Sequence, residues 1–102
     1  MTRIPFDLMH EVVRDAFVNA GMAHDKADVC ARIHAESSCD GVYSHGLNRV
    51  ARFVDYLKRG WVVAGAEPEI VRKLGAIEIY DGNQGPGILN ALFATDRAMQ
   101  IA

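Results

Sequence analysis

A chain of 102 residues, half of them hydrophobic and 24% charged, has the length and make-up of one globular domain with a small stability margin. Its formal net charge of −2 supplies no general attraction to nucleic acid or anionic lipid, so neither partner is expected. No apolar run approaches the roughly 20 residues that span a bilayer, and the N-terminus lacks a basic-then-apolar leader pattern, which makes the cytoplasm the expected location.

Pro5 stands near the start of a helical pattern carried by Phe6, Met9, Val13, Ala16, Phe17 and Ala20, and Gly21 ends it. Glu11, Arg14 and Asp15 fall largely off that stripe. A second helix follows, with Asp25 and Asp28 in its first turn, Ala27, Cys30, Ala31 and Ile33 on a weaker apolar side, and an end near Asp40-Gly41. Cys30 and Cys39 lack the CxxC spacing and read as two reduced thiols. Cys30 and His34 sit one turn apart with His24 upstream, but no fourth ligand stands out, so no metal is assigned and His34 reads as a packed or surface histidine. His10 has no partner that the sequence identifies.

The chemistry is concentrated in Gly41-Val42-Tyr43-Ser44-His45-Gly46-Leu47-Asn48-Arg49. Leu47, Val50, Ala51, Val54 and Leu57 recur at helical spacing and predict a third helix running to about Arg59, closed by Gly60. On that helix His45, Asn48, Arg49, Arg52 and Tyr56 form a separate polar stripe. Ser44 is expected as the N-cap, which places His45 at the positive end of the helix dipole. Arg49, one turn on, matches a carboxylate bidentately while His45 exchanges a proton near neutral pH. The plain alternative is a surface helix with a capping serine and solvated arginines. Two other readings are weaker. A DNA-recognition helix is opposed by the net negative charge. A nucleophile elbow at Ser44 needs a glycine where Val42 stands and a strand before it.

After Gly60 comes an apolar patch, Trp61-Val62-Val63, and a loop through Pro68. Ile70 and Val71, then Ala76, Ile77, Ile79 and Tyr80, read as two short strands turning at Leu74-Gly75. A lone hairpin is marginal in water, so these strands are expected to join a sheet completed by other sequence. Asp81-Gly82-Asn83-Gln84-Gly85-Pro86-Gly87 matches no phosphate-binding pattern and reads as a strand-to-helix connection. The last helical pattern, Ile88, Leu89, Leu92, Phe93, Ala98, Met99 and Ala102, carries no terminating signal, as expected of a piece of a longer chain or of a helix docked at its terminus.

The run Asp40 to Arg49, followed by Arg52-Phe53 and by Leu74-Gly75-Ala76-Ile77-Glu78, resembles the N-terminal segment of the malate/L-lactate dehydrogenase family of NAD(P)-dependent 2-oxoacid reductases. The Gly-Val-Tyr-Ser-His-Gly-x-Asn-Arg run is most similar to the 2,3-diketo-L-gulonate reductase branch, and the likeness extends over nearly all of the chain. It implies an α+β unit within a larger, non-Rossmann α/β oxidoreductase fold. Residues 1–60 would form a helical substrate-site lobe, and residues 61–102 a hairpin and helix that begin the main domain. It implies that His45 is the proton donor to the carbonyl, that Ser44 and Arg49 contact the substrate, and that the enzyme is a homodimer. Asn48 and Arg52 match only part of the family and stand outside the expected site. NAD or NADP would be bound mainly by sequence this chain does not contain, so the chain alone is expected to be inactive.

Overall fold

A computed structural model describes residues 4–102. Helix α1 spans Phe6–Asn19 and α2 spans His24–Cys39. Two single 3-10 turns, Tyr43–His45 and Leu47–Arg49, lead into α3, Val50–Arg59. Strands β1, Glu69–Leu74, and β2, Ile77–Asp81, precede α4, Gly87–Ile101. The expected α+β order of three helices, a hairpin and a fourth helix is therefore present.

The helix stops follow from backbone chemistry. At the end of α2, Gly41 takes φ +85°, Gly41 N–H donates to Ser38 O at 3.1 Å, and Val42 N–H donates to Ser37 O at 2.8 Å. At the end of α3, Gly60 takes φ +77°, with Gly60 N–H to Leu57 O at 3.2 Å and Trp61 N–H to Tyr56 O at 3.0 Å. Both are Schellman closures, in which a left-handed glycine lets the next N–H groups reach otherwise orphaned carbonyls. The two closures bracket the stretch that holds His45.

Packing is built on α1 and α2. Val13, Phe17, Met22, Ala27, Cys30, Ala31 and Leu57 form the buried core, and Val50, Phe53, Val54, Val62, Ile88 and Leu89 pack against it. Phe17 is fully buried, its ring 4.9 Å from Phe53 and 5.4 Å from His34 in edge-on geometry. His34 is a core residue whose Nδ1–H donates to Cys30 O at 2.7 Å. Burial pushes the Cys30 thiol up to about 11, whereas Cys39 is exposed, and both are free thiols. His10, for which the sequence named no partner, ties α1 to α2: its Nε2 lies 3.0 Å from Asp28 Oδ1 and 3.1 Å from Asp28 O.

The hairpin is antiparallel, in the register Glu69↔Asp81, Ile70↔Tyr80, Arg72↔Ile79 and Leu74↔Ile77, with an irregularity between Ile70 and Arg72. Among the described residues the two strands pair only with each other. Ile70, Val71, Leu74, Ile77 and Ile79 are all more than half exposed. The other face of β2 is held to α4. Arg97 grips Glu78 through two hydrogen bonds of 2.7 and 2.8 Å, Tyr80 O–H donates to Glu78 Oε1 at 2.7 Å, and Tyr80 packs edge-on against Phe93. This fork holds the Glu78 carboxyl at about 2 and raises Tyr80, whose hydroxyl proton is kept in the hydrogen bond to Glu78. Among the described residues no helix is long and apolar enough to cross a membrane.

Candidate substrate cleft

The sequence places Ser44, His45 and Arg49 on one helix, and here the structure corrects it. Ser44 is not the N-cap of α3. It lies in the 3-10 turn Tyr43–His45, and α3 begins only at Val50, preceded by Arg49 at the cap position. The reason is Gly46, whose φ of −101° and ψ of −132° break the helical path between the two turns. Ser38, from the end of α2, instead holds the turn between them, its Oγ accepting the N–H of Leu47, the first residue of the second 3-10 turn, at 2.8 Å. The predicted apolar stripe shifts accordingly. Val50, Val54 and Leu57 pack inward together with Phe53, while Leu47 and Ala51 are exposed. His45 therefore does not sit on the first turn of α3, and the dipole argument does not reach it.

The two site residues still come together, by another route. Arg49 donates its Nε–H to Ser44 O at 2.9 Å, folding its guanidinium back over the turn that carries His45. Ser44 Oγ lies 3.0 Å from His45 Nδ1. That contact serves either protonation state of the ring: the serine hydroxyl donates to a bare Nδ1, or accepts from a protonated one. In both cases it leaves Nε2 as the nitrogen available to another molecule.

His45 and Arg49 line a cleft of about 410 Å³. Its walls are the C-terminal half of α2 (Ile33, His34, Ser37), α3 (Arg52, Phe53, Tyr56), Val62, and the start of α4 (Gly87, Ile88). Ser44 does not line it and reaches it through His45 and Arg49. Of the polar stripe, Arg52 and Tyr56 join the wall and Asn48 does not. The helical spacing that aligned them with Arg49 was the signal for both. His34 reads from sequence as a packed or surface histidine, Phe53 enters only through the family resemblance and Ile88 only as part of the last apolar helix, and nothing local in the sequence marks them as lining a cleft. Among the described residues no acidic side chain lines it, so the cleft presents two guanidiniums and two imidazoles beside an apolar floor, an arrangement suited to a small anion.

The glycine-rich connection after β2 is not a phosphate cradle. Asn83 and Gln84 both take positive φ, Gln84 O accepts the Val63 N–H at 2.8 Å, and Asn83 Nδ2 donates to Glu67 O at 2.8 Å. Pro86, fully buried, contributes no N–H. The turn thus faces the loop before β1, and its residues do not fit a dinucleotide pyrophosphate. Its role in the cleft is to set Gly87 and Ile88 on the wall.

Comparison with known proteins agrees with this architecture. The model of the malate/L-lactate dehydrogenase family matches residues 4–102. Among curated proteins, the chain is 37% identical over 100 residues to the 2,3-diketo-L-gulonate reductase of Klebsiella pneumoniae (strain 342), and 38% to that of Pasteurella multocida (strain Pm70). Each match covers 98% of this chain and 30% of the relative. Among solved structures, malate dehydrogenase from Pyrococcus horikoshii OT3 superposes with a TM-score of 0.93 at 24% identity, over 99% of this chain and 29% of that one. The delta1-piperideine-2-carboxylate reductase of Pseudomonas syringae pvar. tomato superposes at 0.85 and 25% identity, over 100% of this chain and 31% of that one. The chain spans about 30% of the length of the curated relatives it matches. With the family model covering all the described residues, this chain belongs to the malate/L-lactate dehydrogenase family.

Proposed function

We propose that these residues form the substrate-binding, proton-supplying part of an NAD(P)H-dependent oxidoreductase that reduces a 2-oxo acid to the 2-hydroxy acid. The observation that carries the reading is the joining of His45 and Arg49 through Ser44 on the wall of a cleft with no acidic side chain. Arg49 binds the substrate carboxylate with the guanidinium nitrogens that Ser44 leaves free. His45 gives a proton from Nε2 to the carbonyl oxygen as that oxygen becomes an alkoxide, which removes the cost of an unneutralised anion. Ser44 holds the imidazole and the guanidinium, and through them orients both groups toward the substrate. Phe53, Val62 and Ile88 keep the floor apolar, which strengthens both polar contacts. The nicotinamide cofactor is assigned to sequence outside these 102 residues, and the chain alone is expected to be inactive. The names of the relatives make 2,3-diketo-L-gulonate a leading substrate. Family membership supports extending the reading to a cytoplasmic homodimer.

The test is oxidation of NADH and NADPH with a panel of 2-oxo acids that includes 2,3-diketo-L-gulonate, using the product of the complete reading frame. Turnover that falls by about 10²- to 10⁴-fold in kcat on His45→Ala supports the proton-donor role. Wild-type kcat in that variant overturns it. A folded product that turns over none of the acids would favour a non-catalytic helical binding module.

A further inference from the structure

Arg52 has a position and a lack of partners that the reading above leaves unused. Arg14, Arg32, Arg59 and Arg97 each face a carboxylate, and Arg49 is tied to Ser44 O. Arg52 lines the cleft and makes no hydrogen bond or ion pair among the described residues. It stands on the first turn of α3, three residues after Arg49 at the cap position, and both line the cleft. Tyr56 continues that wall one turn on, its ring placed by Trp61 with 5.4 Å between centroids. His45, Arg49, Arg52 and Tyr56 are therefore successive polar stations along one cleft. At about 410 Å³ it has room beyond a three-carbon acid.

Charge leads to the same place. One substrate carboxylate answers one guanidinium, and with no acidic residue on the wall the second has no counter-charge from the protein. Resting on the substrate reading above, we propose that Arg52 determines specificity by binding an oxygen-bearing group on the substrate's tail, remote from the carboxylate held by Arg49. The tail group is a second carboxylate or a hydroxyl, both of which accept from a guanidinium. An alkyl tail would leave Arg52 unanswered beside Phe53, and that difference discriminates between substrates of equal length.

The experiment compares three 2-oxo acids in the complete reading-frame product: 2-oxobutanoate, oxaloacetate and 2,3-diketo-L-gulonate, with wild type, Arg52→Gln and Arg52→Lys. The expected result in Arg52→Gln is a fall of about 10- to 100-fold in the ratio of kcat/KM for an oxygen-tailed acid over 2-oxobutanoate. Partial rescue by Arg52→Lys for oxaloacetate alone identifies a carboxylate tail, and loss confined to the sugar acid identifies hydroxyls. An equal loss on all three substrates, or no loss, overturns the proposal. A second measurement separates its failure from failure of the catalytic reading. Malate, L-gulonate and lactate are titrated into the complete reading-frame product and their binding is followed by calorimetry. A preference for malate or gulonate over lactate that disappears in Arg52→Gln supports the proposal even where no reductase activity is found, and absence of any such preference in wild type overturns it.

Discussion

Gly46 lies against the backbone of Ser38, so closely that a Cβ built at position 46 would stand 2.8 Å from Ser38 N and 3.0 Å from its Cα, with the Ser38 hydroxyl closer still. Backbone cannot swing aside as a flexible side chain can. The same serine accepts the Leu47 N–H, so this contact joins the end of α2 to the turn that precedes Arg49. Gly46→Ala is therefore expected to push the His45 turn off α2 and to destabilise the chain by about 1–3 kcal/mol, the usual cost of forcing a methyl into a filled space. Thermal unfolding and the amide shifts of Leu47 and Arg49 check it. A variant with unchanged shifts at both residues would show that the turn does not depend on this approach.

Phe17 meets Phe53 and His34 edge-on inside the core, which makes it the link between α1, α2 and α3. Its truncation to alanine removes a fully buried ring and is expected to cost about 3–5 kcal/mol. In a chain of this size that is a large share of total stability. The two thiols supply the readout. Cys39 is exposed and should label rapidly in native and mutant chains alike, whereas Cys30 is buried with its thiol pushed up to about 11 and should label only on opening. Faster labelling of Cys30 in Phe17→Ala, with Cys39 unchanged, is the expected pattern. Equal protection of Cys30 in both chains would place its burial outside the Phe17 contact.

Much of this fold is legible in the sequence because its signals are local. The Phe6 to Ala20 stripe, the glycine stops at Gly41 and Gly60, and the turn at Gly75 each follow from spacing or from one residue's allowed backbone, and all appear where expected. The start of α3 was not legible. Leu47, Val50 and Ala51 continue a helical period without a break, and what interrupts it is the approach of Gly46 to Ser38, eight residues earlier. The cleft was half legible. Arg52 and Tyr56 share the helical period of Arg49, but His34 and Ile88 arrive from α2 and α4 through tertiary packing that no local pattern encodes. His10 and Asp28 likewise pair across eighteen residues.

The hairpin is fastened to α4 mainly through Glu78, which makes that docking acid-sensitive. The Glu78 carboxyl sits at about 2 against an ordinary value of 4.5, because Arg97 and Tyr80 hydrogen-bond its charged form. A carboxyl lowered on folding adds stability that is complete above the unfolded value and is lost as pH falls through the folded one. The β2–α4 contact should thus be intact above about pH 5 and weaken progressively toward pH 2. Ring shifts of Tyr80 and Phe93 across that range report it, and Glu78→Gln should flatten the dependence. Wild-type ring shifts that stay constant from pH 5 to pH 2 would show that apolar packing of Tyr80 on Phe93 holds the contact alone.

Ser44 touches the imidazole of His45 and does not line the cleft, so its contribution to turnover should pass largely through that ring. With the hydroxyl donating to Nδ1, the neutral imidazole carries its proton on Nε2, the nitrogen that the proposed chemistry uses. Ser44→Ala removes the preference between tautomers and one net hydrogen bond, worth about 0.5–1.5 kcal/mol. The expected loss is about 3- to 10-fold in kcat for the complete reading-frame product, with KM little changed because Arg49 still holds the carboxylate. Nitrogen-15 shifts of His45 supply the readout that a general loss of folding would not imitate. In wild type they should report a bare Nδ1 at high pH, and in Ser44→Ala a mixture of tautomers. Ser44→Thr, which retains the hydroxyl, should restore both the shifts and the rate. Recovery of rate without recovery of the tautomer would mean that Ser44 acts on the substrate directly and not through His45.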